Sequence, residues 1–177
     1  TGSTDGIGSH TAEKLPKHGS SVVVHGRNEL KLTKTVEDIK KQTGHENIRG
    51  EVADLTRRDQ VATFAREMAT LDPQILVNYA GVFEGKRTVE EDGIETTFAV
   101  NVLAPFLITK IMMPALSDAK VLMVSSISQS SSLNFEYLQF EKRHYSDHAS
   151  YSQSKLCILM LTLSFHEKYE AIRKEKN

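Results

Sequence analysis

The sequence predicts an α/β protein built on a doubly wound parallel sheet with helices on both faces. Short apolar runs typical of buried strands alternate with amphipathic helical patterns along the chain, which is the signature of such a sheet. A glycine-rich turn at the start of the chain leads straight into a helical pattern. The length of 177 residues suits one domain with a substantial core, so we interpret residues 1–177 as a single domain.

The predicted elements follow one another in a regular order. The expected strands are Ser21–His25, Ile48–Val52, Gln74–Val77 and Lys120–Val124. Gly19 and Gly44 mark the ends of helices. Apolar residues at helical spacing predict the helices between the strands, with buried faces that include Leu32, Val36 and Ile39, then Val61, Phe64, Ala65, Met68 and Leu71, then Phe98, Val102 and Phe106. A last helix begins near Tyr151.

The composition argues against several classes of protein. The net charge is −1 and the basic residues are not clustered, so nucleic acid is not an expected partner. The single cysteine, Cys157, rules out an internal disulfide, fits a reducing compartment and is expected to pack within an apolar helix. No group of histidines, cysteines and carboxylates has the spacing of a metal site. The longest apolar stretch, Leu156–Leu163, is too short to span a bilayer.

The first eight residues, T-G-S-T-D-G-I-G, form the glycine-rich turn. Glycine permits unusual backbone angles and the close approach of a ligand to the main chain. The helix that follows would offer free N–H groups and the positive end of its dipole to a pyrophosphate. The G-x-x-x-G-x-G spacing differs from the G-x-G-x-x-G of ordinary dinucleotide folds. Taken alone, the turn is equally compatible with a flexible loop.

Tyr151 and Lys155 lie four residues apart at the start of the last predicted helix. On a helix this spacing puts both side chains on one face. A tyrosine in water loses its proton near pH ~10, and a fixed cation beside it lowers that pKa toward the range in which general acid–base catalysis is efficient. The pair taken alone is more typical of a solvated surface, so its interpretation depends on the rest of the chain.

Four further motifs occur in order: Asp54-Leu55, Asn78-Tyr-Ala-Gly81, Asn101 and Ser125-Ser126. Together with the glycine turn and the Tyr151–Lys155 pair, they resemble the short-chain dehydrogenase/reductase family, which has a Rossmann-type fold. The resemblance spans residues 1–155. One departure is Tyr79, which stands where the family often has asparagine.

The resemblance implies hydride transfer between a nicotinamide cofactor and a carbonyl or alcohol carbon. It implies that Tyr151 is the acid/base, that Lys155 lowers its pKa and holds the nicotinamide ribose, and that Asn101 completes the catalytic set. Ser126, in preference to Ser125, matches the hydroxyl that orients the substrate. The implied cofactor-binding residues are Gly2, Ser3, Thr4, Asp5, Gly6, Ile7, Gly8, Arg27, Asn28, Asp54, Leu55, Asn78, Ala80, Gly81, Tyr151 and Lys155, and no metal site is implied.

The choice of cofactor is predicted from the end of the second strand of the family's sheet. A carboxylate there would bind the adenosine ribose and repel a 2′-phosphate. Gly26 stands at this position, and the guanidinium of Arg27, which can hold a phosphate, follows it. We therefore predict NADP rather than NAD. The alternative is that Arg27 is an ordinary exposed residue at the start of a helix.

Pro105 lies four residues after Asn101, inside an otherwise helical pattern. Proline has no N–H to donate to the carbonyl of residue i−4, and its ring pushes that carbonyl away. We therefore expect a kink that frees the Asn101 carbonyl for a water in a proton relay with Lys155. An ordinary kinked helix packed on the sheet is the alternative.

Ser126 and Tyr151 are 25 positions apart, which is long for the family, and the segment between them is rich in aromatic residues. It contains Phe135, Tyr137, Phe140 and Tyr145, together with His144 and His148. With this insertion the chain looks like the retinol-dehydrogenase-like branch of the family. The rings either line an apolar mouth for a lipophilic substrate or merely pack the insertion.

The resemblance also bears on completeness, partners and location. The family has a strand ahead of the glycine turn and further strands after the last helix, so we expect this chain to be a fragment that lacks both. A truncated, inactive nucleotide-binding or interaction protein is the alternative function. We also expect a homodimer through the helices that carry Asn101 and Tyr151. The expected location is the cytoplasm or the cytosolic face of an internal membrane, and membrane association of a longer form stays open.

Overall fold

Helices and parallel strands alternate along the chain in the computed structural model, which describes residues 1–116 and 119–175. The strands are β1 (Val22–Gly26), β2 (Ile48–Val52), β3 (Ile75–Asn78) and β4 (Lys120–Met123). The helices are α1 (Gly6–Lys14), α2 (Glu29–Thr43), α3 (Arg58–Ala69), α4 (Thr96–Phe98), α5 (Ala104–Met112) and α6 (Asp147–Glu175). Every predicted strand lies within one residue of its observed bounds, and the α/β class is confirmed.

The four strands form two separate two-stranded parallel sheets. Strand β1 pairs with β2 from Val22 opposite Ile48 onward, and β3 pairs with β4 from Ile75 opposite Lys120 onward. Among the described residues no ladder of hydrogen bonds joins β1 to β3, which agrees with the expected Rossmann-type sheet that lacks its first strand.

A cavity of about 1010 Å³ lies between the two sheets. Its walls include Val23 from β1 and Val77 from β3. The start of the chain reaches both sides, because the Thr1 amino group donates to the Val77 carbonyl (2.6 Å) and the Ser3 N–H donates to the His25 carbonyl (2.9 Å). The cavity thus separates β1 from β3, the two strands that no ladder of hydrogen bonds joins in the described part of the chain.

Two buried apolar clusters hold the helices against the sheets. One joins α2 to β1 and β2 through Val24, Leu32, Ile39 and Ile48. The larger one joins α3 and α5, and its members include Val61, Phe64, Ala65, Met68, Ile108 and Met112. The predicted buried faces of α2 and α3 are confirmed at Leu32, Ile39, Val61, Phe64, Ala65 and Met68.

The helix that carries Asn101 is interrupted by a π-helical turn at Ala99–Leu103. Pro105 cannot donate to the carbonyl of Asn101, so the ordinary pattern of hydrogen bonds cannot continue through this point. The N–H of Ala104 instead donates to the carbonyl of Ala99, five residues earlier. The predicted interruption therefore takes the form of a widened turn.

One helical stretch, Thr96–Ala115, is long and apolar enough to cross a membrane by length and composition alone. This corrects the expectation that Leu156–Leu163 is the longest apolar stretch. Half of its most apolar 18-residue segment is buried inside the protein, and Ile108 and Met112 belong to the larger core cluster. The apolar character of this stretch is therefore accounted for by its place in the core.

We expect residues 1–177 on their own to lack a sharp thermal transition. Buried backbone groups without partners along the facing edges of β1 and β3 each cost roughly 1–3 kcal/mol. An extended segment of roughly six Val and Ile residues placed ahead of Thr1 would pair with both edges and raise the melting temperature, as measured by scanning calorimetry.

The matched control carries the same added segment with a proline at its centre, which cannot donate to a ladder. Equal melting temperatures for the two extended chains would contradict this prediction, as would a sharp transition in the unextended chain.

Candidate active site

Tyr151 and Lys155 lie one turn apart on α6, as their spacing predicts. The Lys155 ammonium is buried and lies 5.4 Å from the centroid of the Tyr151 ring. It donates a hydrogen bond to the carbonyl of Val124, just beyond β4 (3.0 Å). Burial removes the ammonium from water and so lowers the pKa of Lys155 below its usual range. The pair is thus anchored to the sheet and is not a solvated surface pair.

Asn101 is almost fully buried, and its carboxamide joins three parts of the chain. Its Oδ1 accepts from the N–H of Val82 (2.8 Å), while its Nδ2 donates to the carbonyl of Val82 and to Oγ of Ser154 (3.0 Å each). The π-helical turn carries this side chain, the segment after β3 supplies Val82, and α6 supplies Ser154. These hydrogen bonds hold the loop after β3 against the helix of Tyr151.

Gly81 lies where Asn101 and Lys155 meet. A Cβ added to this glycine would lie 3.5 Å from Asn101 Oδ1 and 3.5 Å from Lys155 Nζ. Its backbone therefore faces both functional side chains at van der Waals distance. The structure brings together Gly81, Asn101, Tyr151 and Lys155, four of the residues expected from the sequence.

The two serines after β4 have different partners. The hydroxyl of Ser125 donates to the carbonyl of Lys155 (2.8 Å) and so ties this loop to α6. The hydroxyl of Ser126 accepts from the N–H of Ser128 (3.1 Å), which leaves its own hydrogen to be donated elsewhere. Of the two, Ser126 has the hydroxyl that is better suited to contact a ligand, in keeping with the sequence-based preference.

The glycine turn is held in place by close backbone packing. Gly2 has a φ of +66°, and a Cβ on it would lie 2.7 Å from Cα of Ala80. A Cβ on Gly8 would lie 2.1 Å from the carbonyl oxygen of Gly2. Larger residues at either position would push the turn away from the Asn78–Gly81 segment. The hydroxyl of Thr1 accepts from the N–H groups of Tyr79 and Ala80 (3.2 Å each) and fixes the same contact.

The N-terminus of α1 is open to an anion. Its N-cap, Asp5, makes no side-chain hydrogen bond to the helix, so no side chain occupies the first-turn N–H groups. A Cβ on Gly6 would meet nothing within 4 Å, and Ile7 is 66% exposed. Free donors beside an open backbone fit the pyrophosphate that the sequence predicts for the glycine turn and the helix after it.

Arg27 and Asn28 stand together at the end of β1, and both are exposed. Asn28 accepts from the N–H of Lys31 (2.9 Å) and so caps α2. Lys31 forms an ion pair with Asp5 of the glycine turn. This second cation beside the turn was not anticipated, because its approach to Asp5 depends on how α1 and α2 pack.

Asp54 and Leu55, two of the implied cofactor-binding residues, have different surroundings. The Asp54 carboxylate accepts from the N–H and the hydroxyl of Thr56 (3.0 and 2.9 Å) and shapes the turn before α3. The side chain of Leu55 packs in the larger core cluster, so a contact of this residue with the cofactor would use its main chain. Cys157 is buried as expected, and burial raises the pKa of its thiol.

Asn78 is buried at the end of β3, where its Nδ2 donates to Oγ1 of Thr109 (3.0 Å). Its Oδ1 is a buried acceptor with no protein partner. Such an atom costs free energy unless something pairs with it, which distinguishes this strand end from the rest of the described core.

Two rings of the aromatic insertion, Phe140 and Tyr145, pack against each other. Phe140 is 3% exposed and packs against the ring of Tyr145 (5.4 Å between centroids), whose hydroxyl donates to the carbonyl of Glu84 (3.0 Å). The ring beside Tyr151 is instead Phe83, at 5.3 Å, which also meets the ring of His148 at 5.4 Å. Phe83 was not anticipated from the sequence, because its only local signal is that it follows the Asn78–Gly81 motif by two residues.

A family model described as short chain dehydrogenase matches residues 1–173. The chain therefore belongs to the short-chain dehydrogenase family. It is 33% identical to polyprenol dehydrogenase from Homo sapiens over 172 residues, which are 92% of this chain and 52% of that protein. It is 32% identical to retinol dehydrogenase 13 from Mus musculus over 168 residues, 92% of this chain and 50% of that protein. The resemblance to the retinol-dehydrogenase-like branch is confirmed, and the chain spans about half the length of these curated relatives.

Solved structures share the fold. An uncharacterised protein from Mycobacterium paratuberculosis superposes with a TM-score of 0.87 at 27% identity, covering 97% of this chain and 61% of its own. A metagenomic short-chain oxidoreductase in complex with NADP superposes with a TM-score of 0.76 at 26% identity, covering 97% of this chain and 75% of its own. The Rossmann-type architecture predicted from the sequence is thereby confirmed over the part of the family fold that this chain covers.

Proposed function

We propose that this chain carries the cofactor and catalytic residues of an oxidoreductase that transfers a hydride between NADP(H) and a carbonyl or alcohol carbon. The proposal rests on one observation. The Lys155 ammonium and the Asn101 carboxamide both lie close to the backbone of Gly81, and Lys155 is one helical turn from Tyr151. A buried cation beside a phenol is what acid–base chemistry by tyrosine requires.

Tyr151 would give a proton to the carbonyl oxygen, or take one from the alcohol in the reverse direction. Its ring lies on the same face of α6 as the Lys155 ammonium, which puts a cation 5.4 Å from the ring centroid. Because burial lowers the pKa of Lys155, the ammonium also releases a proton more readily than a solvated lysine does. Lys155 would serve as the electrostatic partner of Tyr151, with its ammonium held by the carbonyl of Val124.

Asn101 and Ser126 would support this proton transfer in different ways. The hydrogen bonds from Asn101 to Val82 and Ser154 fix the loop after β3 against α6, which sets the place of the cofactor relative to Tyr151. The widened turn at Asn101 suits a water in a relay with Lys155. Ser126 has a hydroxyl hydrogen to donate to the substrate oxygen.

The residues at the glycine turn fit a nicotinamide dinucleotide. Thr4 to Gly8 would hold the pyrophosphate through the uncapped N-terminus of α1, and Asn78, Ala80 and Gly81 would line the path toward Lys155. When bound, the cofactor supplies the hydride, and the protein supplies orientation and the proton.

NADP is proposed over NAD because the end of β1 carries cations and no carboxylate at the expected position. Gly26 is buried at the end of β1, and Arg27 is exposed beside it. Lys31 of α2 lies near the glycine turn, because it forms an ion pair with Asp5. The guanidinium of Arg27 can hold a 2′-phosphate through paired donors. The NADP complex of the metagenomic relative is consistent with this choice.

A lipophilic substrate is proposed from the surface beside Tyr151. Phe83 is 48% exposed and contacts the rings of both Tyr151 and His148, so an apolar wall borders the phenol. The named relatives, polyprenol dehydrogenase and retinol dehydrogenase 13, are called after lipophilic alcohols.

The cytoplasmic or cytosolic membrane-face location stays a prediction.

A homodimer through α5 and α6 is proposed from the apolar surface of α6. Leu159, Met160 and Leu163 are 38%, 44% and 59% exposed. An apolar helix of this kind is stabilised when a second surface covers it. A second copy of this chain would supply such a surface.

The first test is Tyr151→Phe in a completed chain, meaning residues 1–177 extended on both sides to the length of the family's relatives. We expect turnover of NADPH with retinals or lipophilic ketones to fall at least ~100-fold, because general acid–base catalysis contributes about that much or more. NADPH affinity should stay within a few-fold. Tyr137→Phe removes a hydroxyl from the insertion and is the matched control. Activity near that of the unmodified chain would refute Tyr151 as the acid/base, whereas cofactor binding without any turnover in the unmodified chain would favour the inactive alternative.

Arg27→Asp should weaken NADPH binding and shift the preference toward NADH by at least ~10-fold, equivalent to about 1.4 kcal/mol. The carboxylate would repel the 2′-phosphate and bind the ribose hydroxyls. Fluorescence titration of both cofactors measures the change. Arg66→Asp makes the same charge change on an exposed residue of α3 and is the control. An unchanged preference would show that Arg27 does not touch the phosphate.

Leu163→Glu should convert the completed chain from a dimer to a monomer at micromolar concentration, because a buried carboxylate at the interface has no partner. Sedimentation velocity measures the change. Leu30→Glu, at an 83% exposed position on α2, should leave the dimer intact. A strictly monomeric unmodified chain would rule out this interface.

A further inference from the structure

His25, in β1, is buried beneath the glycine turn and is 3% exposed. Its Nδ1 accepts a hydrogen bond from the N–H of Gly2 (3.1 Å), and its Nε2 lies 3.1 Å from the carbonyl oxygen of Ala53. Its backbone also binds the turn, because its carbonyl accepts from the N–H of Ser3 and its N–H donates to Oγ of Ser3. One residue therefore makes these four hydrogen bonds, of which three are with the turn.

These partners determine the protonation state of the ring. A main-chain N–H can only donate, so Nδ1 must be an unprotonated acceptor. A carbonyl oxygen can only accept, so Nε2 must carry the hydrogen. The neutral Nε2–H tautomer is the state that satisfies both contacts, since a proton added to Nδ1 would face the N–H of Gly2.

The Gly2 amide is a sensitive point of the turn. Gly2 has a positive φ and packs on Ala80, and its carbonyl oxygen lies against Gly8 in α1. A shift of the Gly2 peptide would therefore move the start of α1 and the Asn78–Gly81 segment together. A ring that holds this amide holds the whole binding turn.

We infer that His25 is a positioning residue that sets the glycine turn for a dinucleotide pyrophosphate, through an imidazole that accepts from Gly2 at Nδ1 and donates to Ala53 at Nε2. This inference rests on the proposed function. His25 does not meet the ligand itself; it acts through the backbone of Gly2 and Ser3.

The electrostatics of the site favour the neutral ring. The pKa of His25 is lowered from 6.5 to about 4, chiefly by burial and also by the Thr1 amino group, while the Ala53 carbonyl and the Asp54 carboxylate oppose the shift. In a chain extended ahead of Thr1 that amino group is an uncharged amide, and burial remains. Because the folded pKa lies below the unfolded value, the stabilisation is complete above about pH 6.5 and is lost as pH falls toward 4.

A purely structural role is the competing explanation, because the ring also packs on Phe64 at 4.9 Å between centroids. Replacing His25 with Asn or with Gln distinguishes the positioning role from the purely structural one. An Asn oxygen at the δ position can still accept from Gly2, whereas a Gln amide at the ε position can donate to Ala53 but leaves Gly2 without an acceptor. Both variants remove the aromatic packing.

The first readout is independent of cofactor binding. In the completed chain with ¹⁵N-labelled histidine, NMR at pH 7 should show the Nε2–H tautomer for His25, with the Nδ1 shift of a hydrogen-bonded acceptor. The melting temperature should fall more steeply between pH 6.5 and 4 than in His25→Asn. An Nδ1–H tautomer, or a charged ring at pH 7, would overturn the inference.

The second readout is NADP⁺ affinity by calorimetry at pH 7. We expect His25→Asn to stay within about 3-fold of the unmodified chain and His25→Gln to lose at least ~10-fold, equivalent to about 1.4 kcal/mol. His25→Phe, which keeps the ring on Phe64, replaces the Gln variant if that variant does not fold, and should show the same loss. Equal affinities of the Asn variant and the Gln or Phe variant would overturn the role of His25. An unmodified chain that does not bind NADP⁺ while NMR shows the expected tautomer would overturn the proposed function and, with it, the pyrophosphate assignment.

Discussion

The buried carboxamide of Asn101 is the contact on which the candidate active site depends. A buried amide must satisfy its donors and acceptor within the protein, because leaving one unpaired costs roughly 1–3 kcal/mol. Asn101 does so with both main-chain groups of Val82 and with the hydroxyl of Ser154. These partners lie 19 and 53 residues away. The amide thereby fixes the distance between the loop after β3 and the helix that carries Tyr151.

Two local features allow Asn101 to reach these partners. Pro105 removes an N–H from the helix, and the π-helical turn at Ala99–Leu103 absorbs the change. The start of the same stretch is fixed by Glu95, which is fully buried and accepts from the N–H groups of Thr97 and Phe98. The capping carboxylate and the widened turn together hold a polar side chain at a place where a regular helix would bury apolar groups.

The nucleotide side of the site depends on contacts of a different kind. The glycine turn packs between the two sheets through the backbone, at Gly2 against Ala80 and at Gly8 against Gly2. His25 and Thr1 supply the hydrogen bonds that fix it to β1 and to the end of β3. The cofactor side is therefore shaped mainly by main-chain geometry, whereas the catalytic side is shaped by buried polar side chains. Gly81 belongs to both, since it follows Ala80 and faces Lys155.

Local sequence patterns determined the order of elements, the strand bounds to within one residue, the interruption at Pro105 and the membership of the family. Each of these depends on neighbours a few positions apart, through periodicity, turn chemistry or a short motif. Only the tertiary structure decided that Phe83 borders Tyr151, that Lys31 pairs with Asp5, that His25 holds Gly2 and that the side chain of Leu55 packs in the core. These are contacts between elements, or burial produced by such contacts, and no local pattern encodes which faces meet.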